Sequence, residues 1–144
     1  MMDAMTEEDT RTVTLRWSGA GLGFESATQR ATVAVQGGPD RVAQSPMELL
    51  LTAAGSCMAS DVVDILAKMR RPATSYAVEV TGWRAPGTPH RYTRLKLVHR
   101  ADGTDEPSLR RAVELSQDRY CSVMATLDPQ MPIDHEFVLD GARV

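Results

Sequence analysis

The sequence is poor in cysteine, in net positive charge and in long apolar runs, and each shortage excludes a class of protein. Its two cysteines are too few for the disulfide framework of a small secreted domain. A net charge of −3 gives no basic excess that would suit nucleic acid or an anionic membrane as a partner. The longest run without a charged residue, residues 49–60, has 12 residues, fewer than a bilayer-spanning helix needs.

Two further signals are missing. No CxxC pair occurs, and the histidines are scattered without zinc-site spacing, so neither a metal nor a cofactor is predicted. The acidic opening MMDAMTEEDT lacks the basic-then-apolar order of a signal peptide, and residues 1–10 are predicted to be a disordered tail. Residues 11–144 are long enough to bury one core, so a single soluble, cytoplasmic domain is predicted there.

The periodicity of apolar residues predicts an α+β fold. Strict alternation, as in RTVTLRWS, is typical of half-buried strands. Such segments predict strands at residues 11–18, 30–36, 75–84, 91–100 and 133–140, with a further short one in GAGLGF. Helical spacing predicts a long central helix after Ser45, a second helix over 106–119 and a short helical piece at CSVMATL. The resulting order, βββ–α–ββ–α–(α)–β, has too few βαβ crossovers for a doubly wound sheet, so an antiparallel sheet packed on central helices is expected.

The central helix has clear ends in the sequence. Ser45 and Glu48 form a capping box, Pro46 suits the first helical position, and Pro72 follows a basic last turn. Residues 49–54 are apolar on almost every side of the helix axis. A helix of this kind is buried in its own core or against a second chain, so a homodimer with these helices near the shared interface is expected.

Cys57 lies in the middle of this helix, at the head of a polar stripe. At about 100° per residue, four side chains project within about 60° of it: Ser60, Asp61, Asp64 and Lys68. A purely structural cysteine would more naturally lie among the leucines, whereas a reactive thiol needs access and a nearby cation. The two aspartates disfavour a thiolate, so both interpretations stay open and an activating cation must come from elsewhere in the fold.

The second cysteine, Cys121, follows DRY at the end of the second predicted helix. It is 64 positions from Cys57, so only the fold can bring the two thiols together. If they meet, Cys57 oxidised by a peroxide could condense with Cys121 to a disulfide. The alternative is two unrelated buried cysteines.

The segments SPMELLLTAAGSCMASDVVDILAKMR and RAVELSQDRYCSVMATL together resemble the OsmC/Ohr family of osmotically inducible and organic hydroperoxide resistance proteins, in particular an OsmC-like branch. The resemblance runs in order from about residue 13 to residue 139. It implies an intertwined α+β homodimer with two central helices and with active sites at the dimer interface. Peroxidase members reduce organic hydroperoxides or hydrogen peroxide, and a dithiol such as a lipoyl group regenerates them. By position, the resemblance implies that Cys57 is the peroxidatic and Cys121 the resolving cysteine.

The activating pair of the hydroperoxide-resistance branch has no direct counterpart here. In that branch a glutamate follows the helix-opening proline and orients an arginine, but in this sequence Met47 occupies that position. Glu48 lies about 180° from the first cysteine around the helix axis and is interpreted as the capping-box residue. The loop at residues 19–27 contains no arginine. The nearest candidates, Arg30 and Arg41, are interpreted as solvated charges.

The predicted function is therefore thiol-dependent reduction of organic hydroperoxides or hydrogen peroxide by Cys57 and Cys121, with a dithiol reductant as partner. The alternative is a non-enzymatic protein on the same fold that binds a small molecule or senses redox state in stress. A third possibility is a stable dimer with inert thiols. The departures at the activating pair favour the alternative, while the two matched cysteines favour the enzyme.

Overall fold

The computed structural model describes residues 9–144, which divide into two compact units, one ending at Leu49 and the other spanning Leu50–Val144. Residues 1–8 of the predicted tail lie outside the described residues. The single domain over 11–144 stays a prediction.

The first unit contains a three-stranded antiparallel sheet in the order β1-β2-β3. Its strands are β1 (Thr14–Trp17), β2 (Gly23–Ala27) and β3 (Thr32–Gln36). Gly21 takes a φ of 56° in the β1–β2 turn, where its carbonyl accepts a 2.9 Å hydrogen bond from Trp17 Nε1. The predicted strands are confirmed, each shorter at its start than the alternating pattern suggests.

The long helix α1 (Pro46–Lys68) begins at the predicted capping box. The Glu48 N–H donates to Ser45 Oγ at 3.1 Å, and the Ser45 N–H donates to Glu48 Oε1 at 3.0 Å. These bonds hold the pKa of Glu48 below its ordinary value. The helix stops where Arg70 adopts a left-handed φ of 60°. Two reciprocal hydrogen bonds at the first turn are the interaction that the sequence pattern specifies.

The second unit contains a four-stranded sheet in the order β4-β5-β6-β7. Its strands are β4 (Ser75–Arg84), β5 (Tyr92–Asp102), β6 (Ile133–Leu139) and β7 (Ala142–Arg143). The prediction of antiparallel pairing holds for every pair except β5 and β6, which run parallel. Parallel neighbours need a long crossover, and the helices between these two strands provide it. At two residues, β7 is too short for its alternation to be recognised in the sequence.

The crossover begins with α2 (Glu106–Leu115), continues as a π-helical turn (Ser116–Tyr120) and ends with α3 (Ser122–Thr126). The second helix and the short helical piece are thus confirmed, but the predicted helix over 106–119 changes from α to π geometry after Leu115.

The core of the second unit lies between α1, α2 and the sheet. The large apolar side chains that are fully buried there come from these elements: Met58, Val62, Leu66, Leu95, Leu97 and Leu109. By length and apolar content alone α1 could cross a membrane, a test that the core helix of a soluble protein also passes. Three of the buried side chains named above belong to α1, so this helix contributes to the core of the second unit.

Gly55 is the point of close approach between α1 and β4. A Cβ atom on this residue would lie 2.8 Å from Val80 Cγ2 and 3.7 Å from Val78 Cγ1. Glycine in a helix interior is about 1 kcal/mol less favourable than alanine. The missing side chain therefore allows the helix to pack directly on the strand.

We expect Gly55→Ala to lower the free energy of unfolding by about 1–3 kcal/mol, because the added methyl overpacks this contact by more than it gains in helix propensity. Urea denaturation would measure the change. Combining it with Val80→Ala should cost less than the two single changes added together, since the smaller strand residue makes room for the methyl. Stabilisation of the single variant would show that the helix can move away without loss.

Candidate thiol site

Cys57 is half-buried in α1 and packs against the core of the second unit. On the same helix Met58 and Val62 are fully buried, whereas Ser60 and Asp64 are exposed. The thiol therefore lies at the boundary between the core face and the predicted polar stripe. This position gives the sulfur partial access from outside together with a fixed packing environment.

Cys121 lies at the end of the π-helical turn and is only 3% exposed. Its N–H donates to the Ser116 carbonyl at 2.8 Å, which closes the turn. Its sulfur accepts a 3.4 Å hydrogen bond from the Met124 N–H and so caps α3. Backbone contacts on both sides thus fix this side chain.

The two thiols lie near one another in the fold, because the Cys57 side chain is close enough to raise the pKa of Cys121, and both are free cysteines. Burial raises the pKa of Cys121 to about 11, with a smaller upward contribution from the Cys57 side chain and an opposing effect of the Met124 N–H. Cys121 is therefore a neutral thiol near pH 7. The fold thus brings together two cysteines that are 64 positions apart in the sequence.

Asp61, one helical turn after Cys57, binds the π-helical turn rather than a cation. Its Oδ2 accepts a 2.8 Å hydrogen bond from the hydroxyl of Ser116, a residue with no exposed surface. The polar stripe correctly places Asp61 on the side of α1 that carries Cys57. Its partner lies 55 positions away, so no local pattern indicates the contact.

A line of polar side chains extends across the sheet to Gln117 in the π-helical turn; His99 is fully buried, and Tyr76, His135 and Gln117 are half-buried. Tyr76 Oη lies 2.5 Å from His99 Nδ1, His99 Nε2 lies 2.9 Å from His135 Nδ1, and His135 Nε2 lies 3.1 Å from Gln117 Oε1. Because the Gln117 oxygen can only accept, His135 donates from Nε2 and accepts at Nδ1. His99 then donates from Nε2 and accepts the Tyr76 hydroxyl proton at Nδ1. Every group in the line is satisfied with both imidazoles neutral.

Burial keeps this line uncharged. Burial lowers the pKa of His99 to about 3, and the neighbouring His135 lowers it as well. Burial also lowers the pKa of His135. Burial raises the pKa of Tyr76 well above its ordinary value. The pairing of His99 with His135 across β5 and β6 depends on a strand register that the sequence does not reveal.

The sequence-predicted activating candidates have other partners in the first unit. Arg41 Nη2 lies 3.3 Å from Glu48 Oε1, and Arg41 Nη1 donates to the Gly38 carbonyl at 2.6 Å. Arg30 is exposed, and its backbone N–H donates to Thr28 Oγ1. The interpretation of Glu48 as a capping residue is confirmed by its reciprocal bonds with Ser45.

Comparison with known proteins gives a matching protein family and a similar protein of known sequence. The family model described as OsmC-like protein matches residues 36–136. Protein YhfA of Escherichia coli K12 is 36% identical over 126 residues, which cover 85% of this chain and 93% of that protein.

Solved structures have the same fold. A hypothetical protein from Aquifex aeolicus superposes with a TM-score of 0.83 at 28% identity, covering 92% of this chain and 98% of that one. An organic hydroperoxide resistance protein OsmC from Legionella pneumophila superposes with a TM-score of 0.67 at 10% identity, covering 92% and 98%. At that identity the second comparison concerns the fold alone.

Proposed function

The chain belongs to the OsmC-like protein family, and from this premise we propose that it reduces peroxides with the thiol pair Cys57 and Cys121. The observation that carries the proposal is the proximity of a half-buried thiol, Cys57, to a buried one, Cys121, whose pKa it raises. Membership of the OsmC-like family supports a stress-related redox role. Organic hydroperoxides and hydrogen peroxide are the proposed substrates.

The proposed chemistry has three balanced steps. The Cys57 sulfur attacks the peroxide O–O bond, becomes a sulfenic acid and releases an alcohol, or water from hydrogen peroxide, which takes up the thiol proton. The Cys121 sulfur then attacks the Cys57 sulfur, so that the disulfide forms and the sulfenic oxygen leaves as water with the Cys121 proton. A dithiol reductant exchanges with this disulfide and restores both thiols.

Exposure and protonation support the assignment of the two roles. Cys57 is the more accessible sulfur, as the first attack on an external peroxide requires. Cys121 is buried, its pKa is raised, and its sulfur is fixed beside Cys57. A thiol in that position reacts with its neighbour rather than with a molecule from solution.

The proposal includes a homodimer in the cytoplasm. OsmC-like proteins are generally dimeric. The first unit exposes large apolar side chains that a second copy could cover: Val13, Leu15, Trp17, Leu22, Val33 and Val42. A cytoplasmic location suits the two free thiols, since the reducing pools of that compartment keep thiols unpaired.

The test is consumption of cumene hydroperoxide and of hydrogen peroxide by the wild-type protein with dihydrolipoamide as reductant, together with mass spectrometry after one equivalent of peroxide. We expect sustained turnover and an intramolecular Cys57–Cys121 disulfide. A disulfide without turnover would favour the redox sensor. Met47 at the position of the family's glutamate, and Asp61 near Cys57, also favour that alternative. Absence of both would reject the enzyme and the sensor.

A further inference from the structure

The thiol pair belongs to a closed ring of contacts that includes Asp61 and Ser116. Asp61 lies one turn after Cys57 on α1, and its carboxylate accepts the Ser116 hydroxyl at 2.8 Å. The Ser116 carbonyl accepts the Cys121 N–H at 2.8 Å, and the Cys121 side chain returns to Cys57. Asp61 and Ser116 thus form a second connection between the two cysteines, made of two hydrogen bonds and one helical turn.

Ser116 joins the two halves of this ring, through its hydroxyl to Asp61 and through its carbonyl to Cys121. It has no exposed surface, so its hydroxyl bond to a carboxylate is a buried, charge-assisted hydrogen bond. It also begins the π-helical turn, a geometry with one residue more per hydrogen-bonded ring than an α-helix and one that is frequent at functional sites. Without the bond to Asp61, the start of this turn loses its side-chain attachment to the helix that carries Cys57.

Gln117, the residue after Ser116, is attached to the sheet by a hydrogen bond from His135 on β6. Gln117 accepts from His135, whose ring is oriented by His99. The two bonds at Ser116 and Gln117 connect the π-helical turn to α1 and to β6. The His135 bond leads away from the thiols, whereas the Asp61 bond leads directly to the helix of Cys57.

We propose that Asp61 is a positioning residue for disulfide formation: through Ser116 it holds the π-helical turn so that the sulfur of Cys121 lies in line with Cys57. This inference rests on the proposed function, in which Cys121 attacks the Cys57 sulfenic acid, an S–S bond forms, the S–O bond breaks and water leaves. Asp61 touches neither the peroxide nor the sulfurs. Its contribution is to the second step alone.

The experiment compares Asp61→Ala, Asp61→Asn and a matched control, Asp64→Ala. Asp64 lies on the same polar stripe, is exposed and pairs only with Lys68 among the bonds described for its side chain, at 2.7 Å. Each protein receives one equivalent of cumene hydroperoxide, and dimedone traps any sulfenic acid before mass spectrometry.

For Asp61→Ala we expect disulfide formation about tenfold slower than in wild type, the factor that corresponds to one hydrogen bond to a charged group. The Cys57–dimedone adduct should accumulate, while the first oxidation of Cys57 is not slowed. Asp61→Asn should restore the rate, because its amide oxygen accepts the same hydroxyl proton. Asp64→Ala should behave as wild type. Wild-type resolution in Asp61→Ala, or an Asn variant as slow as the Ala variant, would overturn the proposal.

A second measurement separates this inference from the proposed function. In glutathione redox buffers without peroxide, the equilibrium constant for the Cys57–Cys121 disulfide should fall about tenfold in Asp61→Ala. If wild type does not react with peroxide and this fall is still seen, the positioning role stands while the peroxidase fails. An unchanged constant overturns the positioning role. Ser116→Ala removes the same bond and serves in both measurements if Asp61→Ala does not fold.

Discussion

Cys57→Ser is expected to abolish peroxide turnover, whereas Cys121→Ser is expected to react once and then be lost to overoxidation. A serine hydroxyl at position 57 is not ionised at neutral pH and cannot take up the peroxide oxygen, so the rate should fall to that of the reductant alone. A protein without the Cys121 thiol still forms the sulfenic acid at Cys57. With no neighbour to condense with, and no external thiol, that acid reacts with further peroxide to the sulfinic acid.

Peroxide consumption and intact-protein mass spectrometry check both expectations. Ser56→Ala is the matched control, because Ser56 is the exposed neighbour of Cys57 and, within residues 9–144, its hydroxyl donates only to the Ala53 carbonyl of its own helix. Turnover that survives in Cys57→Ser would assign the reaction to another group. A Cys121→Ser protein that resists overoxidation as wild type does would remove Cys121 from the resolving role.

Local chemistry explains why some features could be predicted from the sequence. The capping box of α1 joins residues three positions apart, so Ser45 and Glu48 identify each other without any knowledge of the fold. The polar stripe follows in the same way from the 3.6-residue period of one helix. Alternation likewise reveals β4 and β5, which are long strands joined by a Pro/Gly loop.

Long-range contacts explain why other features could not. Cys57 and Cys121 come near one another only through the crossover and its π-helical turn, and the bond between Asp61 and Ser116 joins residues 55 positions apart. A π-helical turn has no composition of its own, so residues 116–120 continue the helical pattern while their geometry changes. Parallel pairing of β5 with β6 is invisible to alternation, which is the same in either direction.

The candidate site also combines features that the sequence could predict with features that only the fold shows. The family resemblance, rather than any spacing, implied the roles of the two cysteines. The structure adds their contact and the burial of Cys121. The pairing of His99 with His135 was missed because each residue alone has the alternating position of an ordinary core side chain.

The histidine line should make the protein sensitive to acid. His99 has no exposed surface, and burial lowers its pKa to about 3, compared with about 6.5 in an unfolded chain. Between these values the unfolded state binds a proton that the folded state does not, so the free energy of unfolding falls as the pH falls through this range. The stabilisation that depends on a neutral His99 is fully present above pH 6.5. Below that it decreases by about 1.36 kcal/mol per pH unit, so about 5 kcal/mol of the free energy of unfolding is lost near pH 3.

Urea denaturation at pH 7 and pH 5 would measure the effect as a loss of about 2 kcal/mol from His99 alone, with a further loss in the same direction from His135. His99→Leu should be less stable at pH 7 but should lose much of this pH dependence. His90→Gln, at an exposed loop histidine, should keep it. If His99→Leu keeps the full loss between pH 7 and pH 5, the sensitivity to acid belongs to other groups, and the buried line contributes packing alone.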